Sequence, residues 1–182
     1  MRSTIVTSLE NCKHLIRDIV DFPKPGIIFK DITPMLANGP CFRFVVDHIA
    51  ELCEREGLQP DVLACPEARG FIFGAALAYR LGVGFVPIRK PKKLPHRIHR
   101  VEYELEYGTD AVEMHVDAIQ PGGKVVLVDD LIATGGTTAA CARLIESSGA
   151  QVIAAVFLLE LTALRGRERL GSIPTYAVIE VP

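Results

Sequence analysis

Val125-Val126-Leu127-Val128-Asp129-Asp130-Leu131-Ile132-Ala133-Thr134-Gly135-Gly136-Thr137-Thr138 changes character twice. Val125 to Val128 is an unbroken apolar, mostly β-branched run, which suits a strand buried on both faces of a parallel sheet. Asp129 and Asp130 read as the end of that strand. Ala133 to Thr138 is a small loop rich in glycine and hydroxyls, and Thr138 to Ser147 follows with a helical pattern. Carboxylates at the carboxyl end of a strand, followed by a loop that opens a helix, mark the place where open α/β sheets bind ligands.

The loop has the chemistry of a phosphate cradle. Gly135 and Gly136 allow a tight turn and bring bare N–H groups close to a ligand. Thr134, Thr137 and Thr138 add hydroxyl donors, and the helix behind them offers its unpaired N–H groups and positive dipole end to an anion. The two Asp suit a neighbouring group with paired hydroxyls, because ionised carboxylates only accept hydrogen bonds. A sugar carrying a 5-phosphate has both features. A plain strand-to-helix turn with Asp as its cap would account for the carboxylates but not for the Thr-Gly-Gly-Thr run beside them.

The stretch resembles the phosphoribosyl-pyrophosphate (PRPP) binding motif of type I phosphoribosyltransferases: a hydrophobic run, an acidic pair and a Thr-Gly-Gly-Thr loop. The resemblance implies that Asp129 and Asp130 hold the ribose hydroxyls and that Ala133, Thr134, Gly135, Gly136 and Thr137 hold the 5-phosphate.

The rest of the chain sets bounds. Its 182 residues suit one domain with a substantial core. Apolar residues make up 49% and the net charge is −2, which fits a soluble globular protein and argues against nucleic-acid binding through a basic face. Cys12, Cys41, Cys53, Cys65 and Cys141 are scattered, with no Cys-x-x-Cys pair, so neither a disulfide framework nor a zinc site is expected and a reducing cytoplasm is the simplest setting. The five histidines show no metal-ligand spacing. The polar N-terminus does not read as a signal peptide, and the apolar stretch Val152 to Leu164 is too short to span a bilayer.

Leu15, Ile16, Ile19 and Val20 recur at helical spacing and predict one helix from Leu9 to Val20, capped by Ser8. Prolines at 23, 25 and 34 forbid a helix in the next stretch, where Ile27 to Phe29 is extended and fits either an edge strand or a hood over a pocket. Phe42 to Arg55 predicts a helix, Asp61 to Cys65 a short strand, Phe71 to Leu81 a helix with Gly82 as its cap, and Gly84 to Ile88 a third strand. The loop Pro66-Glu67-Ala68-Arg69-Gly70 stands at a strand end, where an Arg fork suits phosphate oxygens. The run from Arg89 to Arg97 is the chain's basic cluster and, without interleaved aromatics, fits a small polyanion better than nucleic acid. Val101 to Glu106 and Val112 to His115 alternate like the arms of a hairpin, Val152 to Leu159 is another buried strand, and Ile173 to Val181 a last one.

Five separated segments between Asp21 and Arg169 resemble the adenine phosphoribosyltransferases. Phe22-Pro23-Lys24-Pro25-Gly26-Ile27-Ile28-Phe29-Lys30-Asp31 resembles their N-terminal hood, which implies Ile28, Phe29 and Lys30 around the base, with Leu161 on its other face. Glu67-Ala68-Arg69 resembles their pyrophosphate loop and implies a cis peptide near Glu67-Ala68, with Arg89 and Lys93 as further pyrophosphate contacts. Lys93-Leu94-Pro95 and Leu105-Glu106-Tyr107-Gly108 resemble the two ends of a flexible catalytic loop, about 94–108, which makes Glu106 the group that handles a purine proton.

The expectation is therefore an α/β fold of the type I phosphoribosyltransferase kind: a central, mainly parallel sheet flanked by helices, in a single domain of residues 1–182, with a hood (about 1–35) and an inserted flexible hairpin. The resemblance implies that adenine and PRPP give AMP and pyrophosphate, with Mg²⁺ carried by PRPP and no metal ligand assigned to the protein, in a homodimer bound to neither membrane nor nucleic acid. Two alternatives share the PRPP motif: a transferase for an oxopurine, and a non-catalytic PRPP sensor. A sensor needs neither Glu106 nor the lysine-rich loop, and this chain has both.

Overall fold

A computed structural model describes residues 8–104 and 108–182. Two compact units divide the chain, Met1–His48 and Ile49–Pro182.

In the first unit, α1 (Leu9–Lys13) is capped by Ser8, whose hydroxyl accepts from the Asn11 N–H at 3.2 Å. The helix expected to reach Val20 stops at Lys13, and Arg17–Val20 is instead strand β1, antiparallel to β2 (Ile28–Asp31). Helical spacing was outweighed by a facing strand and by two cross-strand charge pairs. Arg17 stands opposite Asp31, with Nη2 to Oδ2 at 2.6 Å, and Lys30 stands opposite Asp18, with Nζ to Oδ1 at 2.7 Å. Such pairs each contribute roughly 0.2–1 kcal/mol. The bond from Arg17, helped by the Thr33 N–H, holds the Asp31 carboxyl down at about 2. Pro34 does not exclude a helix: it sits in the first turn of α2 (Thr33–Ala37), where its missing N–H costs nothing. α3 (Gly39–Arg55) likewise begins earlier than Phe42, with Pro40 in its first turn.

The second unit is built on five strands, all parallel. In chain order they and their neighbours are β3 (Val62–Pro66), α4 (Arg69–Leu81), β4 (Gly84–Ile88), the hairpin β5 (Ile98–Glu104) and β6 (Thr109–His115), β7 (Lys124–Ile132), α5 (Gly136–Ser147), β8 (Gln151–Leu161), two 3₁₀ turns at Thr162–Leu164 and Gly166–Leu170, and β9 (Thr175–Val181). The sheet order is β4-β3-β7-β8-β9. The buried-strand reading of Val125 to Val128 holds, but Asp129 and Asp130 lie inside β7 rather than ending it. A carboxylate side chain does not prevent its backbone from pairing, and the ladder to β8 continues through Asp129↔Phe157, Leu131↔Leu159 and Ile132↔Glu160.

Ala64, Val125, Leu127 and Phe157 pack with Ala140, Cys141 and Leu144 of α5 and with Tyr103, Val112 and Met114 of the hairpin. Cys65 meets α4 instead: a Cβ on Gly74 would lie 2.0 Å from its sulfur, so the α4 backbone rests directly on β3. The hairpin joins the sheet edge through Arg89 and Glu113, which exchange backbone hydrogen bonds at 2.9 and 2.8 Å. All five cysteines are buried and unpaired. Among the described residues no helix is long and apolar enough to cross a membrane.

The topology selects one spot. From β3 the chain goes to the edge strand β4, then returns past β3 to β7 and continues to β8 and β9. The direction of winding therefore reverses between β3 and β7. Their ladder stops at Ala64↔Leu127, and both strands run on beyond it. Helices and loops leave in opposite directions there, which opens a crevice at the carboxyl ends of the strands.

Candidate active site

A cleft of about 270 Å³ lies at that reversal. It is lined by Glu67 and Ala68 from the β3–α4 connection and Arg69 at the start of α4, by Asp129 and Asp130 of β7, by Ala133, Thr134 and Gly135 from the β7–α5 connection, and by Gly136 and Thr137 of the first turn of α5. Two separate stretches of sequence, one expected to bind pyrophosphate and one ribose phosphate, thus form opposite walls of one cavity.

Asp130 is 4% exposed and Asp129 half-buried. Burial, and for Asp129 the neighbouring Asp130 carboxylate, push both carboxyls above the ordinary range. Arg69 opposes this: its Nε is 2.9 Å from Asp130 Oδ2. That pairing has the distance of an ion pair without the angle of a hydrogen bond, and Oδ2 has no hydrogen-bond donor among the described residues. Both Asp129 and Asp130 line the cleft, where an ionised carboxylate can accept from a ligand hydroxyl.

Beyond Ile132 the chain turns through Gly135, which has φ +77° and serves as N-cap of α5. No side chain caps the helix, so its first N–H groups remain available to an anion in the cleft. Thr138, in the first turn of α5, also lines the cavity.

The opposite wall is cationic. The Glu67–Ala68 peptide is cis, as the resemblance implied. Arg89 forms a close ion pair with Glu67, and Lys93 Nζ donates to Glu67 Oε1 at 2.8 Å. Burial raises the Glu67 carboxyl, but the bonds from Lys93 and Arg89 outweigh it and the net direction is down. Glu67 therefore gathers the two cations expected to contact pyrophosphate. Lys90 lines the cleft itself and escaped the sequence reading, which saw only a basic run. Its ammonium donates to the Tyr103 hydroxyl at 2.8 Å and forms a close ion pair with Asp110. Burial lowers the Lys90 pKa, yet these two partners outweigh it and hold the ammonium charged. The signal that would have found Lys90 is its place at the end of β4, a carboxyl strand end like those of β3 and β7.

Tyr103 Oη also lies 3.4 Å from Thr137 Oγ1, so the end of β5 touches the first turn of α5. Glu106 falls outside the described residues. Of the residues expected around the base, Ile28, Phe29 and Lys30 lie on β2 in the first unit, where the Phe29 ring meets Phe22 edge-on at 5.2 Å. Leu161 is the last residue of β8 in the second.

Comparison with known proteins agrees with this arrangement. Residues 33–171 match the model of the phosphoribosyl transferase domain. An adenine phosphoribosyltransferase of Dichelobacter nodosus is 56% identical over 168 residues, 92% of this chain and 97% of that protein. The crystal structure of adenine phosphoribosyltransferase from Thermoanaerobacter pseudethanolicus superposes with a TM-score of 0.93 at 53% identity, covering 96% of this chain and 100% of the other. That of the Saccharomyces cerevisiae enzyme, complexed with an imino-altritol bisphosphate and adenine, gives 0.90 at 38% identity, covering 94% and 98%. A reversal-point cleft with an acidic pair, a glycine-threonine loop and a cationic wall, on a chain this similar along nearly all its length, places the protein in the adenine phosphoribosyltransferase family.

Proposed function

We propose that this chain transfers the 5-phosphoribosyl group of PRPP to adenine in purine salvage, giving AMP and pyrophosphate. The observation that carries the reading is the shared cleft, in which Asp129 and Asp130 adjoin the 133–138 loop and face Arg69 and Lys90. The yeast relative complexed with adenine and a bisphosphate sugar analogue supports the same pair of ligands here.

In this reading Ala133, Thr134, Gly135, Gly136 and Thr137 hold the 5-phosphate, and Asp129 and Asp130 accept from the ribose hydroxyls. Departure of pyrophosphate leaves positive charge on the ribose ring. The paired carboxylates then lie where that charge develops, in a poorly solvated site where the attraction is strong. Arg69 and Lys90 stabilise the charge gathering on the leaving group, joined by Arg89 and Lys93, which Glu67 holds ready. Glu106 handles the purine proton, and Ile28, Phe29, Lys30 and Leu161 contact adenine.

Among the described residues no group of three or more His, Cys, Asp or Glu forms a metal cage. The donor set present, two adjacent carboxylates, fits Mg²⁺ that arrives on the diphosphate, since Mg²⁺ keeps several waters and needs only one or two protein carboxylates beside substrate phosphates. When bound, Mg²⁺ would neutralise diphosphate charge and orient the leaving group.

The whole chain acts as one catalytic domain, with the hood at about 1–35 and a closing loop at about 94–108 that excludes competing water. The working form is a homodimer. The outward side of α4 carries Ile72, Ala75, Ala76 and Tyr79 at i, i+3, i+4 and i+7, with Ile72 38% and Tyr79 92% exposed, so the helix is apolar on both sides. A second copy is the natural cover. The five unpaired buried thiols suit the cytoplasm. Conversion of labelled adenine to AMP, dependent on PRPP and Mg²⁺, tests the reaction; a folded protein that binds PRPP and makes no AMP overturns it.

A further inference from the structure

The crossover from β8 to β9 packs backbone to backbone against the phosphate loop. A Cβ on Gly135 would stand 2.2 Å from the Gly166 carbonyl oxygen. One on Gly166 would stand 2.2 Å from the Ala133 carbonyl oxygen and 3.0 Å from the Gly135 nitrogen. No side chain fits between the two segments, so a displacement of Gly166 is passed directly to Ala133–Gly135.

The next residue, Arg167, ties this crossover to the sheet. Its Nε donates to Glu160 Oε2 at 2.6 Å, its Nη1 to the Thr175 carbonyl at 2.8 Å and its Nη2 to Glu180 Oε1 at 3.2 Å. Glu160 is 4% exposed and is the ladder partner of Ile132, the residue that leads into the phosphate loop. A circuit therefore runs from Ile132 across the sheet to Glu160, through the guanidinium to Gly166, and back to the loop. None of Glu160, Gly166 or Arg167 lines the cleft.

We infer that Arg167 is a positioning residue: by holding Gly166 against Ala133–Gly135 it sets the affinity of the site for the ribose 5-phosphate end of the substrate and leaves affinity for the base unchanged. The inference rests on the proposed reading of the loop as the cradle for the 5-phosphate of PRPP. The guanidinium serves three acceptors in a fixed plane, which a lysine ammonium in the same place cannot reproduce. Because a phosphate cradle works only when its N–H groups converge, small displacements lower affinity steeply.

The test compares wild type, Arg167→Gln, Arg167→Lys and Glu180→Gln by calorimetric binding of ribose 5-phosphate and by steady-state kinetics in both substrates. Arg167→Gln is expected to raise the Kd for ribose 5-phosphate and the KM for PRPP roughly 5- to 30-fold, with the adenine KM within about twofold. Arg167→Lys should fall between, and Glu180→Gln, which keeps an oxygen acceptor and removes only the charge of the exposed partner, should match wild type. Unchanged ribose 5-phosphate binding in Arg167→Gln, at any melting temperature, overturns the inference, as does an equal rise in both KM values. If Arg167→Gln does not fold, Arg167→Lys decides: wild-type Kd overturns, a raised Kd with unchanged adenine KM supports. Wild type that fails to bind ribose 5-phosphate defeats the reading of the loop and the inference together; wild type that binds, beside unaffected Arg167 variants, defeats the inference alone.

Discussion

Arg69 Nε stands 2.9 Å from Asp130 Oδ2, across the crevice between β3 and β7. The contact joins the first residue of α4 to the acidic pair of β7, and so links the two walls of the cleft. Arg69→Gln should lower kcat/KM for PRPP roughly 10- to 100-fold, corresponding to about 1.5–3 kcal/mol for a charged hydrogen-bonding group, with little change in the adenine KM. Steady-state kinetics with each substrate varied in turn checks this.

Asp129 carries a carboxyl whose ionisation opposes folding, because burial and Asp130 raise its pKa. A carboxyl raised in the folded state destabilises above its unfolded pKa, near 4, and not below it, where it is protonated in both states. Asp129→Asn should therefore raise the melting temperature at neutral pH, with the gain shrinking as pH falls toward about 4, while PRPP efficiency falls roughly 10- to 100-fold. Thermal melts from pH 4 to 8 measure the first effect. A variant less stable than wild type at pH 7.5 would count against the assignment of strain to this pair.

Lys90 and Tyr103 separate charge from hydrogen bonding. Lys90→Met removes a cation from the cleft and leaves Asp110 without its ion-pair partner, so the KM for PRPP should rise roughly tenfold or more. Tyr103→Phe leaves the Lys90–Asp110 pair but removes a hydroxyl that accepts from the Lys90 ammonium, donates to Asp110 Oδ2 at 3.3 Å and lies 3.4 Å from Thr137 Oγ1, so the KM for PRPP should rise by less than in Lys90→Met. Kinetics of the two variants side by side provides the check.

Glu106→Gln should reduce kcat on the order of 10²–10⁴-fold with a smaller effect on AMP binding. Single-turnover measurements isolate the chemical step, and a wild-type rate there would remove Glu106 from the catalysis.

The sheet was legible because Val125 to Val128 and Val152 to Leu159 are apolar without interruption, a pattern that buried parallel strands require. Gly84 to Ile88 and the Gly82 cap were legible for similarly local reasons. The first unit was less so. Ile19 and Val20 satisfy helical spacing, and only the facing strand Ile28–Asp31, brought near by the turn at 21–27, makes them a strand. Local pattern does not contain that partner. Pro34 misled for a different reason, since its effect depends on whether it falls in a first turn or an interior one. At the site, the acidic pair and the glycine-threonine loop form one continuous signature, whereas Lys90 becomes a cleft residue only once β4 is placed beside β3. The Gly135–Gly166 contact joins segments far apart in sequence and carries no local signal at all.

The central claim is the identity of the acceptor base, and competition among bases tests it most directly. Adenine offers a donor at its 6-amino group and an acceptor at N1; oxopurines reverse both. A backbone carbonyl and N–H around Ile28 to Lys30 that match adenine would face like groups on hypoxanthine, and each unsatisfied buried group costs about 1–3 kcal/mol. With PRPP and Mg²⁺ present, labelled adenine, hypoxanthine, guanine and xanthine should be used with kcat/KM favouring adenine by roughly 10²–10⁴-fold. Comparable use of hypoxanthine or xanthine would contradict the account.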